Sequence, residues 1–463
     1  MSLTPTLAES FSSGLVRQRQ RLEQTPLSIR QGRLRKVSGL VLEVEGLPMA
    51  MGAHACVHNS TQGHWVDAEC IGFQGGATFL MAFDPVHGLS PGAAVCPLQT
   101  PILSGGDYRM RGSVQSLPIG PELLGRVVDG LGRPLDGMGG TQWHALQAAG
   151  PRPNPMRRAP IHEPLDTGIK AINALLTVGR GQRVGLFAGS GVGKSVLLSM
   201  LAKNCVADVI VTALVGERSR EVREYCDDLL DEKTKARSVV VASPADTSPL
   251  SRVKGAEYAT EVAAWFRDQG KHVVLIVDSL TRYAMAQREI GLGLGEAPVA
   301  RGYPASVFAK MPSLVERVGN GENPEGTLTA FYTVLLEGDD VHDPVGDAAR
   351  GILDGHVFLS RELADAGHYP AIDVEKSISR VMPKVTQREH QMAARRLKQL
   401  ISKHVRNRDM VAMGAYVAGN DPELDIALKL WPHIQTFLRQ ESDEVAAFDE
   451  TLKVLLQFGG VGT

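Results

Sequence analysis

Residues Ala188 to Ser195, with the sequence AGSGVGKS, decide the fold of this chain. An apolar run at 183–187 precedes them and an apolar segment at 196–202 follows, which is the strand, glycine-rich loop and helix order of a phosphate-binding P-loop. Glycines let the backbone turn its N–H groups toward phosphate oxygens, and the helix N-terminus adds a favourable dipole. We expect Lys194 to reach the β- and γ-phosphates and Ser195 to bind Mg²⁺. The residues predicted to bind nucleotide here are Gly189, Ser190, Gly191, Val192, Gly193, Lys194, Ser195 and Val196.

The bulk composition limits the class of protein. A chain of 463 residues predicts two or three domains. The net charge of −2 gives no electrostatic reason to expect nucleic acid as a partner. No apolar run approaches the about 20 residues of a membrane span, and the N-terminus lacks the apolar region of a signal peptide. The five scattered cysteines form no CxxC pair and indicate reduced core thiols and a cytoplasmic location.

The chain changes character along its length. In residues 1–26 the apolar side chains recur every four positions and predict one helix face, which is either a frayed terminus or a segment that binds a partner; they are Leu3, Leu7, Phe11 and Leu15. Short β-type runs in 27–105, including 37–44 and 71–83, predict a small antiparallel barrel or sandwich. From 161 to about 375 strands and helices alternate, which indicates a mainly parallel sheet covered on both faces. Beyond 380 the pattern is helical, with one helix expected at 387–405.

Two carboxylates follow apolar strands in the alternating region. Asp278 ends the run VVLIVD, the Walker B arrangement, and would hold Mg²⁺ through water. Glu217 comes just after the strand at 209–215, where it could act as a general base on the attacking water. Arg218 could stabilise charge on the phosphoryl oxygens. The alternative, a solvated charge cluster that opens a helix, is equally open at this point.

Longer motifs carry a family resemblance. They are PLDTGIKAINALLTVGRGQR at 164–183, DSLTRYAMAQRE at 278–289, GYPASVF at 302–308, EGDD at 337–340 and AGHYPAID at 366–373. With these motifs, the chain from residue 27 onward resembles the bacterial flagellar type III export ATPases, which are relatives of the catalytic subunit of rotary ATP synthases.

The resemblance implies roles for single residues. Glu217 becomes the catalytic base, Arg218 a contact of the γ-phosphate, and Arg282 a support of the site near Asp278. Arg380, in the SISR segment, matches the arginine finger that similar proteins supply to the ATP of the neighbouring subunit, where its charge acts only in an assembled ring. Tyr369 matches the aromatic residue that stacks on adenine, with core packing as the alternative.

The resemblance also implies an architecture, an activity and partners. The expected fold is an N-terminal β-barrel (27–105), a RecA-like P-loop ATPase domain (106–378) and a C-terminal helical domain (379–463), after a partner-binding segment (1–26). The expected reaction is Mg²⁺-dependent ATP hydrolysis by a homohexamer that supports flagellar protein export. The expected partners are a peripheral-stalk-like regulator at the N-terminus, a coiled-coil central-stalk-like protein, export chaperones and their substrates, and a membrane export gate. The expected place is the cytoplasm, peripherally at the inner membrane, with no nucleic acid bound.

Three other functions remain open. A virulence injectisome ATPase would share the fold and chemistry and serve another machine. A non-catalytic rotary-ATPase subunit would keep the P-loop but typically carries Gln where this chain has Glu217. A ring-shaped RNA translocase would need a basic, aromatic-bearing N-terminal surface, and residues 27–105 hold no clustered stacking motif.

Overall fold

A computed structural model of the chain describes residues 30–97, 101–104, 107–110, 117–139, 154–322, 325–336 and 343–458. The apolar positions Leu3, Leu7, Phe11 and Leu15 and the EGDD motif at 337–340 lie outside the described residues. The chain divides into two compact units between Ser116 and Leu117. The domain boundaries given above stay predictions.

The first unit contains a closed, all-antiparallel barrel with the strand order β1-β2-β5-β4-β3-β6. Its strands are β1 (Gly32–Ser38), β2 (Val41–Glu45), β3 (His54–Asn59), β4 (His64–Gln74), β5 (Ala77–Ala82) and β6 (Ala94–Pro97). Alternate side chains such as Leu42, Val44 and Leu80 are fully buried inside it. Of the two predicted folds for this region, barrel and sandwich, the structure is the barrel. A hairpin of β7 (Pro101–Ser104) and β8 (Asp107–Met110) follows.

Two apolar runs that the sequence suggested as single strands are each divided by a turn. The run at 37–44 turns at Gly39, where φ is 59°, and the run at 71–83 turns at Gly75 and Gly76, where φ is 58° and 82°. Glycine adopts these left-handed angles without steric cost, so the chain reverses there and both halves pair side by side.

The second unit is built on an eight-stranded sheet with the order β18-β17-β10-β16-β13-β11-β12-β9. The strands are β9 (Val127–Val128), β10 (Arg183–Ala188), β11 (Val209–Val215), β12 (Ser238–Ser243), β13 (His272–Asp278), β16 (Thr327–Leu335), β17 (Gly355–Leu359) and β18 (Ile372–Ser379), with a separate small pair of β14 (Pro298–Ala300) and β15 (Tyr303–Pro304). Neighbouring strands run parallel except β18, which is antiparallel to β17. Every residue of β11 is buried, as expected of a parallel strand with helices on both faces.

Helices connect and cover these strands. They are α1 (Lys170–Leu175), α2 (Lys194–Asn204), α3 (Ser219–Glu224), α4 (Glu232–Ala236), α5 (Pro249–Asp268), α6 (Leu280–Gly293), α7 (Ala305–Val315), α8 (Pro344–Ile352), α9 (Arg361–Asp365), α10 (Met382–Val385), α11 (Arg388–Ala412), α12 (Pro422–Leu438) and α13 (Phe448–Phe458). A 3₁₀ turn (Pro121–Leu123) and a π-helical turn (Tyr225–Leu229) complete the list. Helix α5 packs on β11, β12 and β13.

Helix α11 packs on both α12 and α13, and all three helices contact α1. Helix α11 begins one residue later than predicted and continues to Ala412, well past the expected end at residue 405. The α/β prediction with an N-terminal barrel and C-terminal helices is confirmed. In the described part of the chain, no helix is both long and apolar enough to cross a membrane. Four of the five cysteine side chains are buried and Cys226 is half-buried.

Candidate active site

The P-loop connects two adjoining elements of the second unit. Strand β10 ends at Ala188 and α2 begins at Lys194. Gly191 and Gly193 have φ angles of 78° and 85°, which L side chains rarely adopt, so the loop needs glycine at both positions. Val192 is buried and packs the loop against the hydrophobic core. Lys194 and Ser195 therefore stand at the first turn of a helix whose N-terminus favours an anion.

Helix α2 is held at its other end by Arg237. The Arg237 guanidinium donates to the carbonyl oxygens of Ala202, Lys203 and Cys205 at distances of 3.1, 2.8 and 3.4 Å. These carbonyls belong to the last turn of the helix and to the residue after it, where a cation compensates the dipole. The P-loop helix is thus fixed at both ends.

The carboxyl ends of β10, β11 and β13 bring three charged side chains together. Lys194 Nζ lies 2.5 Å from Asp278 Oδ1 and 3.3 Å from Glu217 Oε1. Asp278 and Glu217 follow strands that are neighbours in the sheet, so the edge gathers residues that are far apart in sequence. Lys194, Glu217 and Asp278, the lysine and the two carboxylates that the sequence predicted for the site, therefore lie in one cluster.

Thr333 adds a fourth contact to this cluster. Its hydroxyl, on β16 between β10 and β13, donates to Asp278 Oδ1 at 2.6 Å, and the side chain is fully buried. Both the lysine and the threonine bonds use Oδ1, so the Asp278 carboxylate is oriented by two donors. Asp278 itself is 4 % exposed, which strengthens these charge-assisted bonds.

The electrostatics of the cluster favour a base at neutral pH. Burial raises the pKa of Glu217 to about 7, and the negative charge of Asp278 adds to the rise, while Lys194 opposes it. Burial disfavours the Lys194 ammonium, but the two carboxylates outweigh this and the pKa of Lys194 is raised. A carboxylate whose pKa lies near 7 is suited to take a proton at physiological pH.

The residue before Glu217 is a glycine for a structural reason. Gly216 has φ of 70°, and a Cβ there would lie 3.0 Å from Cβ of Arg282. Its N–H donates to Ser243 O at 2.8 Å, and the carbonyl of Glu217 accepts from Ala245 N at 3.0 Å. Arg282, in the first turn of α6, thus packs its aliphatic stem against the backbone that positions the base. This contact agrees with the role of Arg282 as a support of the site, and that role stays a prediction.

Arg218 lies away from the cluster. Its side chain is 79 % exposed and its Nη1 is 3.5 Å from Glu221 Oε1, at the start of α3. In this structure Arg218 therefore contacts neither Lys194 nor Asp278. Its contact with the γ-phosphate stays a prediction.

Two residues from the segment after β17 lie against the P-loop. A Cβ at Gly193 would lie 3.3 Å from Cε1 of Tyr369, so the Tyr369 ring touches the loop. The ring is 46 % exposed, which suits a surface that a planar base covers better than it suits core packing. Arg361, the first residue of α9, donates from Nη2 to the carbonyl of Ser190 at 3.2 Å.

Arg380 lies at the opposite edge of the same sheet. Ser379 pairs with Gly355, which is level with Val184 at the start of β10. Four residues of strand, about 13 Å, separate that level from Ala188, where the P-loop begins. The Arg380 guanidinium donates to the carbonyls of Leu353 and Arg350, each at 3.3 Å, and the residue is exposed. The structure therefore does not bring Arg380 to the P-loop of its own chain.

The residues at the P-loop fit Mg²⁺ bound together with substrate. Among the described residues no cluster of three or more His, Cys, Asp or Glu side chains could hold a metal. Mg²⁺ needs no such cage, because it typically takes one or two protein oxygens and completes its shell with phosphates and water. Ser195 at the start of α2 and the buried Asp278 supply donors of this kind.

Sequence reasoning missed Thr333 and Arg361. Thr333 contacts Asp278 only because β16 lies next to β13 in a particular register, with Tyr332 opposite Val277. Arg361 contacts the loop only because β17 lies beside β10. The one available signal was weak: Arg361 comes two residues after a predicted strand, and Thr333 lies near the end of another.

Comparisons with known proteins find family models that match three parts of the chain. The sequence models described as ATP synthase alpha/beta family, nucleotide-binding domain, and as the beta-barrel domain of that family match residues 168–379 and 35–99. The model described as T3SS EscN ATPase C-terminal domain matches residues 386–457.

Among curated proteins, the flagellum-specific ATP synthase of Pseudomonas aeruginosa is 54 % identical over 91 % of this chain and 91 % of its own length. That of Salmonella typhimurium is 54 % identical over 93 % and 94 %. The type 3 secretion system ATPase of Xanthomonas euvesicatoria is 44 % identical over 92 % and 93 %.

Among solved structures, the assembled ATPase EscN of the enteropathogenic E. coli type III secretion system superposes with a TM-score of 0.84 at 40 % identity, covering 92 % of this chain and 100 % of that chain. EscN in complex with its central stalk EscO superposes with a TM-score of 0.81 at 39 % identity, with the same coverage.

Proposed function

This chain belongs to the flagellum-specific ATP synthase family, within the wider ATP synthase alpha/beta family, and on that premise we propose that it is the ATPase of a bacterial flagellar type III export apparatus. It hydrolyses ATP to ADP and phosphate, and the turnover supports chaperone release and the export of flagellar substrates. The observation that carries the catalytic part is Glu217, a half-buried carboxylate with a raised pKa that lies 3.3 Å from the P-loop lysine. A subunit that only bound nucleotide would need no base there.

The chain's own residues divide the reaction among them. The backbone N–H groups of the P-loop and the Lys194 ammonium bind the phosphates, so Lys194 exchanges carboxylate contacts for phosphate oxygens when ATP enters. Glu217 orients the attacking water and accepts its proton, which the raised pKa makes favourable near neutral pH. Ser195 and Asp278 would hold Mg²⁺, Asp278 through water. When bound, Mg²⁺ neutralises charge on the phosphate oxygens.

Arg380 completes the site from a second copy of the chain. Because it lies at the sheet edge away from its own P-loop, a role on ATP requires a neighbouring subunit, and a homohexamer supplies one. The assembled state of EscN supports this ring. Tyr369 stacks on the adenine, and Arg218 reaches the γ-phosphate after its exposed side chain turns toward the bound nucleotide.

The partners are proposed from the family. The segment 1–26, in which Leu3, Leu7, Phe11 and Leu15 recur every four positions in the sequence, binds a peripheral-stalk-like regulator. A coiled-coil central-stalk-like protein occupies the ring pore, as the EscN complex with its central stalk EscO supports. Export chaperones and substrates contact the C-terminal helical domain, and the ring serves a membrane export gate. The protein works in the cytoplasm, peripherally associated with the inner membrane.

The injectisome is the second candidate machine. It is supported by the EscN superposition and by the Xanthomonas relative at 44 % identity, whereas flagellar relatives reach 54 %. Deleting the gene separates the two: a flagellar role predicts loss of motility with effector injection unchanged. Loss of injection with normal motility would assign the protein to the injectisome.

The catalytic proposal is tested by steady-state ATPase rates of the wild type and Glu217→Gln. We expect the variant to retain nucleotide binding and to lose activity by roughly 10²- to 10⁴-fold, because the attacking water loses its base. The matched control is Glu224→Gln, an exposed glutamate on α3, which should keep the wild-type rate. Equal activity of wild type and Glu217→Gln would end the catalytic assignment.

A further inference from the structure

The P-loop has a contact on its outer side that the reaction as described does not use. Arg361 Nη2 donates to the carbonyl oxygen of Ser190 at 3.2 Å, while the Lys194 ammonium contacts Glu217 and Asp278. Arg361 is exposed, so this hydrogen bond is not a by-product of burial.

The position of Arg361 is fixed by the sheet. Strand β17 pairs with β10 in parallel register, with Phe358 opposite Phe187, so the two strands end side by side at the carboxyl edge. The P-loop follows one strand and α9 follows the other. Ser360 caps α9, since its side chain accepts from Leu363 N, and its own N–H donates to Ala371 O at 2.8 Å. The backbone at Arg361 is therefore held in place beside the P-loop.

A held carbonyl also fixes the next N–H. The atoms of a peptide unit lie in one plane, and in a trans peptide the carbonyl oxygen and the following N–H point in opposite directions. Holding Ser190 O toward Arg361 therefore turns the N–H of Gly191 away from Arg361. Gly191 has φ of 78° and lacks a side chain to restrict it, so this peptide needs an external restraint to keep one orientation.

We propose that Arg361 is a positioning residue of the nucleotide site: by holding the Ser190 carbonyl it orients the Ser190–Gly191 peptide so that the Gly191 N–H faces the phosphates. The proposal rests on the ATPase function proposed above. On this proposal, α9 restrains the P-loop through Arg361. The Tyr369 ring also lies against the loop, so the segment 361–369 contacts it at both ends. An N–H that faces phosphate oxygens serves any nucleotide that carries those phosphates, so we expect the restraint to act on binding more than on the chemical step.

The test measures nucleotide binding directly, in the Glu217→Gln background where turnover does not interfere. The probes are fluorescent ATP and ADP analogues titrated at low salt and at about 1 M salt, where the Debye length is about 3 Å. Arg361→Met removes both the donor and the charge, and Arg361→Lys keeps a charge and one donor. The control is Arg223→Met, which removes an exposed arginine from α3.

We expect Arg361→Met to raise the Kd of both probes roughly tenfold at both salt concentrations, since one hydrogen bond is lost. Arg361→Lys should recover part of the affinity, and Arg223→Met should match its parent. In the background with Glu217 intact, KM should rise while kcat changes less than about twofold. The midpoint of thermal unfolding should not change for any variant.

Two outcomes would overturn the proposal. A loss of affinity that disappears at about 1 M salt would mean that Arg361 acts only as a distant charge. Unchanged Kd values in Arg361→Met would mean that the Ser190 peptide needs no restraint. Because binding is the readout, neither outcome depends on whether Glu217 is the base, so failure here is distinct from failure of the proposed hydrolysis.

Discussion

The two edges of the central sheet carry charge in different ways. At the carboxyl edge Lys194 lies between Glu217 and Asp278, so positive and negative charges are paired within one chain. At the amino edge the Arg380 guanidinium contacts only neutral carbonyls among the described residues. Burial lowers the pKa of His356 nearby, and Arg350 and Arg380 lower it further. The amino edge also holds an intrachain ion pair, in which Arg183 Nε lies 3.0 Å from Asp354 Oδ2. The difference therefore concerns single residues: Lys194 is paired with carboxylates of its own chain, whereas the Arg380 guanidinium bonds carbonyl oxygens.

The difference indicates which of the proposed catalytic groups can act within a single subunit and which need a neighbouring subunit. A cluster whose charges are paired within one chain keeps its geometry without a partner. An exposed arginine on carbonyl oxygens stabilises developing phosphate charge only when a neighbour brings phosphates to it. The comparison therefore predicts that defects at the two edges behave differently when variants are mixed.

The largest effect is expected from removing the amino-edge arginine. Arg380→Ala should lower kcat by roughly 10³- to 10⁵-fold, the range seen for arginine fingers. Mixing it in equal amounts with Glu217→Gln should restore about a quarter of the wild-type activity per site, because a random ring pairs an intact cluster with an intact arginine at about one interface in four. ATPase rates of the pure and mixed variants check this. No recovery on mixing, with rings formed, would contradict a role across the interface.

A second prediction uses the pKa of Glu217. The base is the carboxylate, and its pKa is raised to about 7, so the active form is lost as pH falls through that value. We expect kcat/KM to be flat above about pH 8 and to fall about tenfold per unit below pH 6, since kcat/KM reports groups of the free enzyme. Rates between pH 5 and 9, with circular dichroism as a control for folding, test this. A kcat/KM that stayed flat from pH 9 down to pH 5 would contradict the raised pKa of Glu217.

The smallest effect is expected at Thr333. Thr333→Val keeps the shape of the side chain and removes the donor to Asp278 Oδ1, a charge-assisted bond worth about 1.5–3 kcal/mol. We expect roughly a tenfold fall in kcat and a higher Mg²⁺ concentration for half-maximal activity, both recovered by Thr333→Ser. The control is Thr212→Val, because Thr212 is equally buried but bonds Tyr225. If Thr212→Val lost as much activity as Thr333→Val, the effect would be due to general destabilisation and not to the lost bond to Asp278.

The sequence predicted the parts of the site that are local. The P-loop is contiguous, so its glycines, lysine and serine identify it without a fold. Asp278 was predicted because a carboxylate at the end of an apolar strand marks the functional edge of a parallel sheet. Glu217 stayed open on the residues alone and became the expected base through the family resemblance. Thr333 and Arg361 depend on which strands are neighbours and in what register, and no single stretch of sequence contains that information. The barrel could not be separated from a sandwich for the same reason, because closure is a property of strand pairing.

Because β18 runs antiparallel to β17, the residues before and after it lie at opposite edges of the sheet. Tyr369, just before this strand, touches the P-loop, and Arg380, just after it, lies at the far edge of the sheet. Between these ends the strand is bulged, because Asp373 pairs with Phe358 and Ile378 pairs with His356, so that five steps of β18 face two steps of β17. On the roles proposed for Tyr369 and Arg380, this one bulged strand connects the residue that touches a subunit's own ATP to the residue that serves the ATP of its neighbour.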